Sequence, residues 1–239
     1  MQRMIKTTFR LAPATVLLAG ALGSVHAQDT SGLAPLANEV RVGAYFVHYK
    51  ATAEDVSGPF TPPGINLRVA DVNTLYLGYL RHFDAHWTLE VAGGVPPTTR
   101  TYGKGPATVG SVPFDGQKVA TAKWASPSVL IDYTFLDPSK PVRPFIGIGV
   151  NYTRFYERNS TAAGDAANGG PTSISLSNSW GPAAAAGASW QINRQFSLHA
   201  AYSGARVNSH YTSDTSGVIR TTTIHFNPRA WVVAGGYSF

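Results

Sequence analysis

The stretch Trp231-Val232-Val233-Ala234-Gly235-Gly236-Tyr237-Ser238-Phe239 alternates in steps of two. Trp231, Val233, Gly235, Tyr237 and Phe239 fall on one face, and Val232, Ala234, Gly236 and Ser238 on the other, because successive side chains of a strand point to opposite sides. One face is edged with aromatics and the other is small. Trp231 and Tyr237 lie about 20 Å apart along a strand, a spacing that suits a pair of interfacial girdles around an apolar band. A terminal strand in the core of a soluble sheet shows the same alternation. The choice between the two rests on whether the other strands repeat the pattern.

They do. Val40 to Lys50 sets Val40, Val42, Ala44 and Phe46 against Arg41, Gly43, Tyr45 and Val47. Val72 to Arg81 sets Leu75, Leu77 and Tyr79 against Thr74, Tyr76 and Gly78, and Trp87, Leu89 and Val91 oppose Thr88, Glu90, Ala92 and Gly94. A fourth strand runs from Val119 to Leu136 and a fifth from Val142 to Glu157, where Ile146, Ile148, Val150 and Tyr152 oppose Gly147, Gly149, Asn151 and Thr153. In the sixth, Ile174, Leu176 and Trp180 share a face, and that phase continues to Trp190. In the seventh, Phe196, Leu198, Ala200 and Tyr202 oppose Ser197, His199, Ala201 and Ser203, and the last strand runs from about Val218 to Phe239.

The connections alternate long and short. Ala51 to Asp71, with Pro59, Pro62 and Pro63, reads as a long loop, as does the stretch from Pro96-Pro97 to about Lys118. Arg158 to Thr172 and Tyr211 to Gly217 are the third and fourth long loops. His82 to His86, Asp137 to Pro141 and Gln191 to Gln195 are short. Eight strands with short turns at one end and long loops at the other describe an all-β, eight-stranded antiparallel transmembrane β-barrel, with the turns in the periplasm and the loops outside. Its apolar face then looks outward to lipid. Trp87, Trp180, Trp190, Trp231, Tyr237 and Phe239 are the expected interfacial aromatics.

Composition agrees. Charged residues are 13% and aromatics 11%, with 24 Gly and 16 Pro, a profile of strands joined by turns. There is no cysteine, so neither a disulfide framework nor a thiolate metal site exists. Arg3, Lys6 and Arg10 precede an apolar run from Leu11 to Leu22, followed by Val25-His26-Ala27. Residues 1–27 are expected to be a secretory signal peptide and 28–239 the barrel. Loss of three of the 19 basic residues leaves a net charge of +3 against 13 acidic ones. No basic stripe interleaved with aromatics points to nucleic acid.

Val142-Arg143-Pro144-Phe145-Ile146-Gly147-Ile148-Gly149-Val150-Asn151-Tyr152-Thr153 resembles a stretch of the OmpW family of bacterial outer-membrane proteins. Leu89-Glu90-Val91-Ala92, Ser177-Asn178-Ser179-Trp180-Gly181 and Asn227-Pro228-Arg229-Ala230-Trp231 through Phe239 agree in order. The resemblance covers the chain from about Val40 onward and is weakest in the loops. It implies the outer membrane of a Gram-negative bacterium and a monomeric barrel with a narrow, largely apolar passage. Small hydrophobic molecules would cross by that passage and leave sideways through the wall. It also implies contact with outer-membrane lipid and lipopolysaccharide, and reading of Phe239 by the barrel assembly machinery. Ala92 and Ser203 stand where family members can carry bulkier constricting residues, so they are expected to border the narrowest accessible part. Pro182 lacks an N–H and implies a local gap or bulge in the sixth strand. The alternative is a passive barrel that displays loops for adhesion or host contact without transport.

Candidate lumen-lining residues are Glu90, Ala92, Asp132, Gly147, Gly149, Asn151 and Ser203. Glu90, Asp132 and Arg41 form either a polar cluster that plugs the lower lumen or ordinary filling of a narrow barrel. Gly147, Gly149 and Asn151 mark either room for a ligand or the place where Tyr45 or Tyr76 packs across. Catalysis is not expected: none of the seven histidines opens a His-x-Ser triplet, which would set base and nucleophile on one face of a strand. No cluster has metal-ligand spacing, and no cofactor is expected.

Overall fold

The computed structural model describes residues 34–109 and 111–239. The expected signal segment, 1–27, lies outside the described residues. Eight strands close on themselves: β1 Asn38–Tyr49, β2 Val72–His82, β3 Trp87–Gly94, β4 Ser128–Thr134, β5 Val142–Ser160, β6 Ser179–Gln191, β7 Phe196–Ala205 and β8 Pro228–Ser238. Each pairs antiparallel with its chain neighbours, and β1 pairs with β8 from Glu39↔Ser238 to Tyr49↔Pro228. Closure removes both sheet edges, which lipid would leave without hydrogen-bond partners.

The side-chain phase follows the alternation. Ile148 is 71% exposed and Leu130 only 5%. Val42, Leu77, Val91, Ile131, Ile146, Leu198 and Val233 form an outward apolar band. Aromatics bound it at both ends. Trp180 stacks beside Tyr152 at 4.6 Å and Trp231 beside Tyr202 at 4.9 Å at the upper edge. Trp87 meets Tyr133 at 5.0 Å and Phe196 meets Tyr237 at 5.4 Å near the short turns, where Trp190 and Phe239 are also exposed.

Each short turn is tied by one Asp or Asn side chain. Asp84 Oδ1 accepts from the amides of His86 (2.7 Å) and Trp87 (2.8 Å), and Asp137 Oδ1 from Ser139 (2.8 Å). Asn193 Oδ1 accepts from Gln195 and Phe196, both at 2.9 Å. These residues favour turns because the side-chain oxygen bonds amides two or three positions on. The same amides hold the carboxylates of Asp84 and Asp137 below the ordinary aspartate range.

The long connections are not open loops. Asn66–Val69, Thr98–Lys104, Lys118–Ala125 and the upper end of β5 form one sheet above the girdle. Thr52–Ala53, Ser173–Leu176, Asn208–Thr215 and Val218–His225 form another. The expected fourth loop is therefore a hairpin, turned at Ser216-Gly217, both with positive φ. Helix α1, Ala162–Asn168, is capped by Thr161, whose hydroxyl accepts from the Gly164 amide, and by left-handed Gly169.

The two sheets face each other across buried Leu67, Val69, Trp124, Phe155, Ile174, Leu176, Tyr211, Ile224 and Phe226. This corrects the expected sixth strand. Ile174 and Leu176 point inward on a separate strand, whereas Trp180 is 73% exposed, and Ser175 points outward. The phase inverts at Ser177-Asn178 because water replaces lipid outside the wall above the girdle, so the apolar face turns in. Burial in this sandwich pushes the Tyr211 phenol up to about 12.

Ile148→Arg places a charge on the lipid face and is expected to cost about 2–4 kcal/mol near the midplane. Inward Ser203→Ala is expected to cost less than about 1 kcal/mol. Urea unfolding in lipid vesicles, after confirming that boiled and unboiled protein migrate differently, checks both; equal costs would reject the strand phase.

Candidate functional site

The lower lumen is filled by charge. Arg41 Nε donates to Glu39 Oε1 at 2.8 Å, and its Nη1 lies 2.9 Å from His199 Nδ1 and 4.0 Å from Glu90 Oε2. Glu39 also accepts from Ser197 Oγ at 2.7 Å and contacts His82 Nε2 at 3.2 Å. Tyr76 donates its hydroxyl to Glu90 at 2.5 Å. Asp132 is 3% exposed, and its Oδ1 has no hydrogen-bond partner among the described residues. A Cβ on Gly147 would stand 2.0 Å from that oxygen, and one on Gly236 2.1 Å from Glu39 Oε1. The glycines make room for carboxylates across narrow walls, so the space at Gly147 belongs to Asp132 rather than to a ligand, Tyr45 or Tyr76.

Above this network lies an apolar cavity of about 60 Å³. Tyr45, Ala92, Phe145, Ala185, Ala201, Ser203 and Val232 line it, with Glu90 and Asn151 among its polar groups. Small residues on β6 and β7 leave the space, while Tyr76 and Phe145 form its floor cluster with Ala201, Val232 and Ala234. Ala92 and Ser203 border the cavity together. Gly149 does not reach it: a Cβ there would lie 1.9 Å from the Val129 carbonyl, so this glycine serves close strand approach.

The cavity is roofed by aromatics. Phe155 stacks on Phe226 at 5.1 Å, and Tyr49 packs edge-on to Phe226 at 6.0 Å and to Trp124 at 6.4 Å. Trp124 is fixed by a 2.7 Å bond from Nε1 to Thr99 Oγ1. Trp124, Phe155 and Phe226 also line a second apolar pocket between the extracellular sheets, with Val69, Ile174 and Leu176. These rings stand between that outer pocket and the inner cavity.

One side of the cavity meets a break in the wall. The β3–β4 ladder runs from Trp87↔Tyr133 to Ala92↔Ser128 and resumes only at Thr98↔Lys123. Gly93 to Pro97 face Trp124 to Pro127 with no ladder between them. Pro96, Pro97 and Pro127 have no N–H to give. Both borders hold on their far sides: Val95 N donates to Leu75 O at 2.8 Å, and Tyr152 N to Pro127 O at 3.0 Å. Asn151, on β5, ties back the same border, with Nδ2 at 3.2 Å from Ser126 O and 3.1 Å from Pro127 O. Its Oδ1 accepts from Thr153 at 2.8 Å. Pro182 marks a lesser break, where the β6–β7 ladder stops at Ala183↔Ala205.

The sequence reading placed Arg41, Glu90 and Asp132 in the lumen but passed over Glu39, His82 and His199, their partners. It missed the aromatic roof and the seam. A proline at 127, inside an expected strand, was the available signal for the latter.

The family described as the OmpW family matches residues 39–239. Outer membrane protein W of Vibrio cholerae serotype O1 is 28% identical over 165 residues, covering 69% of this chain and 72% of the relative. The dibenzothiophene metabolism operon protein PahQ of Pseudomonas aeruginosa is 29% identical over 154 residues, covering 64% and 65%. The crystal structure of the outer membrane protein OprG from Pseudomonas aeruginosa shares the fold with a TM-score of 0.77 at 21% identity, covering 87% of this chain and 98% of that one.

Arg41→Met leaves Glu39 and Glu90 buried without their cation and is expected to cost about 3–5 kcal/mol, partly recovered by adding Glu39→Gln. Asn151→Ala takes the partner from the Ser126 carbonyl, at about 1–3 kcal/mol, while Pro127 O keeps its bond from Tyr152 N. Equilibrium unfolding of the lipid-reconstituted barrel reads both.

Proposed function

The chain belongs to the OmpW family of outer-membrane β-barrels, and on that footing we propose that it carries small hydrophobic molecules across the outer leaflet into the membrane. The observation that supports this reading is that the apolar pocket between the extracellular sheets and the inner cavity beside the β3–β4 seam share the rings of Trp124, Phe155 and Phe226 as a common wall. A solute on this route keeps apolar contact throughout, so its lost contact with lipid or lipopolysaccharide tails is replaced at each step.

The axial way onward is closed by the Glu39–Arg41–Glu90 network. Opening it would strip paired charges of their partners inside a narrow lumen, at a cost of several kcal/mol. The seam costs less, because no backbone ladder has to break there. The solute therefore leaves sideways, between Gly93 and Pro127. The name of the relative, a dibenzothiophene metabolism operon protein, supports flat aromatic molecules of that kind as the solute class. Ions gain nothing from an apolar wall and are turned back by the network.

Ala92→Trp fills the cavity and is expected to slow uptake of a fluorescent naphthylamine about tenfold, equivalent to about 1.4 kcal/mol of added barrier. Trp124→Ala opens the roof and should raise the rate, and planar-bilayer conductance should stay low in every form. Uptake by Ala92→Trp at the parental rate would remove the cavity from the route. A parent with no advantage over cells lacking the protein would leave a barrel that only displays its outer sheets.

A further inference from the structure

The two extracellular sheets differ in the charge of their outer faces. The sheet of Asn66–Val69, Thr98–Lys104, Lys118–Ala125 and upper β5 (residues 154–160) carries seven Lys and Arg against one carboxylate, Glu157. Glu157 is paired with Lys123 at 2.7 Å. The facing sheet carries one Arg and one Asp, and that Arg220 is tied to Pro59 O and Asn168 Oδ1, both at 3.1 Å.

Register lines up the cations on the first sheet. Arg154 lies opposite Ala125 and two residues above Tyr152 of the upper girdle, so it stands about 7 Å beyond that ring. Lys123 lies between Thr98 and Tyr156, and Arg100 lies opposite Thr121. Arg68 is held over the Tyr102 ring at 4.9 Å. Directly opposed residues of antiparallel strands share a face. The row thus starts at headgroup height and climbs away from the membrane.

We propose that this face binds the phosphate groups of lipopolysaccharide, with the guanidinium forks of Arg154 and Arg100 and the ammonium of Lys123 as the contacts. Charge and height fit this anion, which the outer leaflet presents at the girdle. Arginine forks match phosphate oxygens two at a time, and Lys123 joins as a point charge. The exposed Lys123–Glu157 pair holds little energy and yields to a phosphate. Ala125 adjoins Ser126 and Pro127 of the seam, so a lipid held here spreads its acyl chains beside that break. The inference rests on the outer-membrane setting and not on the passage.

The test uses the full purified barrel in detergent, with bis-phosphorylated lipid A and fully dephosphorylated lipid A as probes, read by native mass spectrometry. The parent is expected to prefer the phosphorylated lipid about tenfold or more, with a preference that falls as salt rises. The triple variant Arg100→Gln/Lys123→Gln/Arg154→Gln should lose that preference. Lys140→Gln/Arg194→Gln, which removes charge at the periplasmic turns, should keep it. Should the triple variant lack the heat shift of a folded barrel, Arg154→Gln alone serves, and it should lose part of the preference. Equal binding of the two lipids by the parent, or an unchanged preference in the folded variants, overturns the proposal. Displacement of lipid A by equimolar inorganic phosphate assigns the face to the free anion and overturns it as well. Naphthylamine uptake by the triple variant stays at the parental rate, which separates failure here from failure of the passage.

Discussion

Every backbone N–H and C=O that lies at membrane depth needs a partner from within the protein, because lipid supplies none. That demand closes β1 onto β8 and sets the lengths of the strands. It also explains the seam. Three prolines and a run of small residues end the β3–β4 ladder inside the wall; the Ser126 carbonyl is met by the Asn151 amide, and the Pro127 carbonyl by that amide and by Tyr152 N. The wall is weakened at this place. The seam is thus a gap in strand pairing whose β4 border is tied back to β5 by the Asn151 side chain.

A second constraint acts where the environment changes. Within the membrane the apolar face points out, and the interior can afford Glu39, Arg41 and Asp132. Above the girdle the outside is water, and the same alternation serves the opposite purpose, with Ile174, Leu176, Ile224 and Phe226 turned in. The interior is therefore graded from ionic at the periplasmic end, through small and apolar, to aromatic outside.

Much of this was legible in the chain. Trp231 to Phe239 alternates because its two faces meet different media, and the other strands within the band repeat that contrast. The inversion at Ser177-Asn178 was not legible, since alternation records that two faces differ and not which of them meets water. The long connections read as loops because Pro and Gly punctuate them, yet their apolar residues pair across the sandwich. His199 escaped notice as a partner of Arg41 because it comes from a separate part of the chain, 158 positions away, whereas Glu39 stands two residues before Arg41 on the same face of β1. Contacts across a barrel depend on tilt and stagger, which no local period carries.

The bonds that close the wall join the most distant parts of the described chain. Asn38 N donates to Phe239 O at 3.1 Å, and Phe239 N returns the bond to Asn38 O at 2.8 Å. Loop-closure entropy for this pairing comes due before any of its contacts repay it, so assembly is slow for a protein of this size. Until β8 arrives, β1 is an open edge, with Arg41 facing a site that lacks His199 and a wall that ends in unpaired amides. Before closure the sheet has two adhesive borders, β1 and the strand that awaits β8. The order of events is imposed by topology: seven strands wait on the eighth.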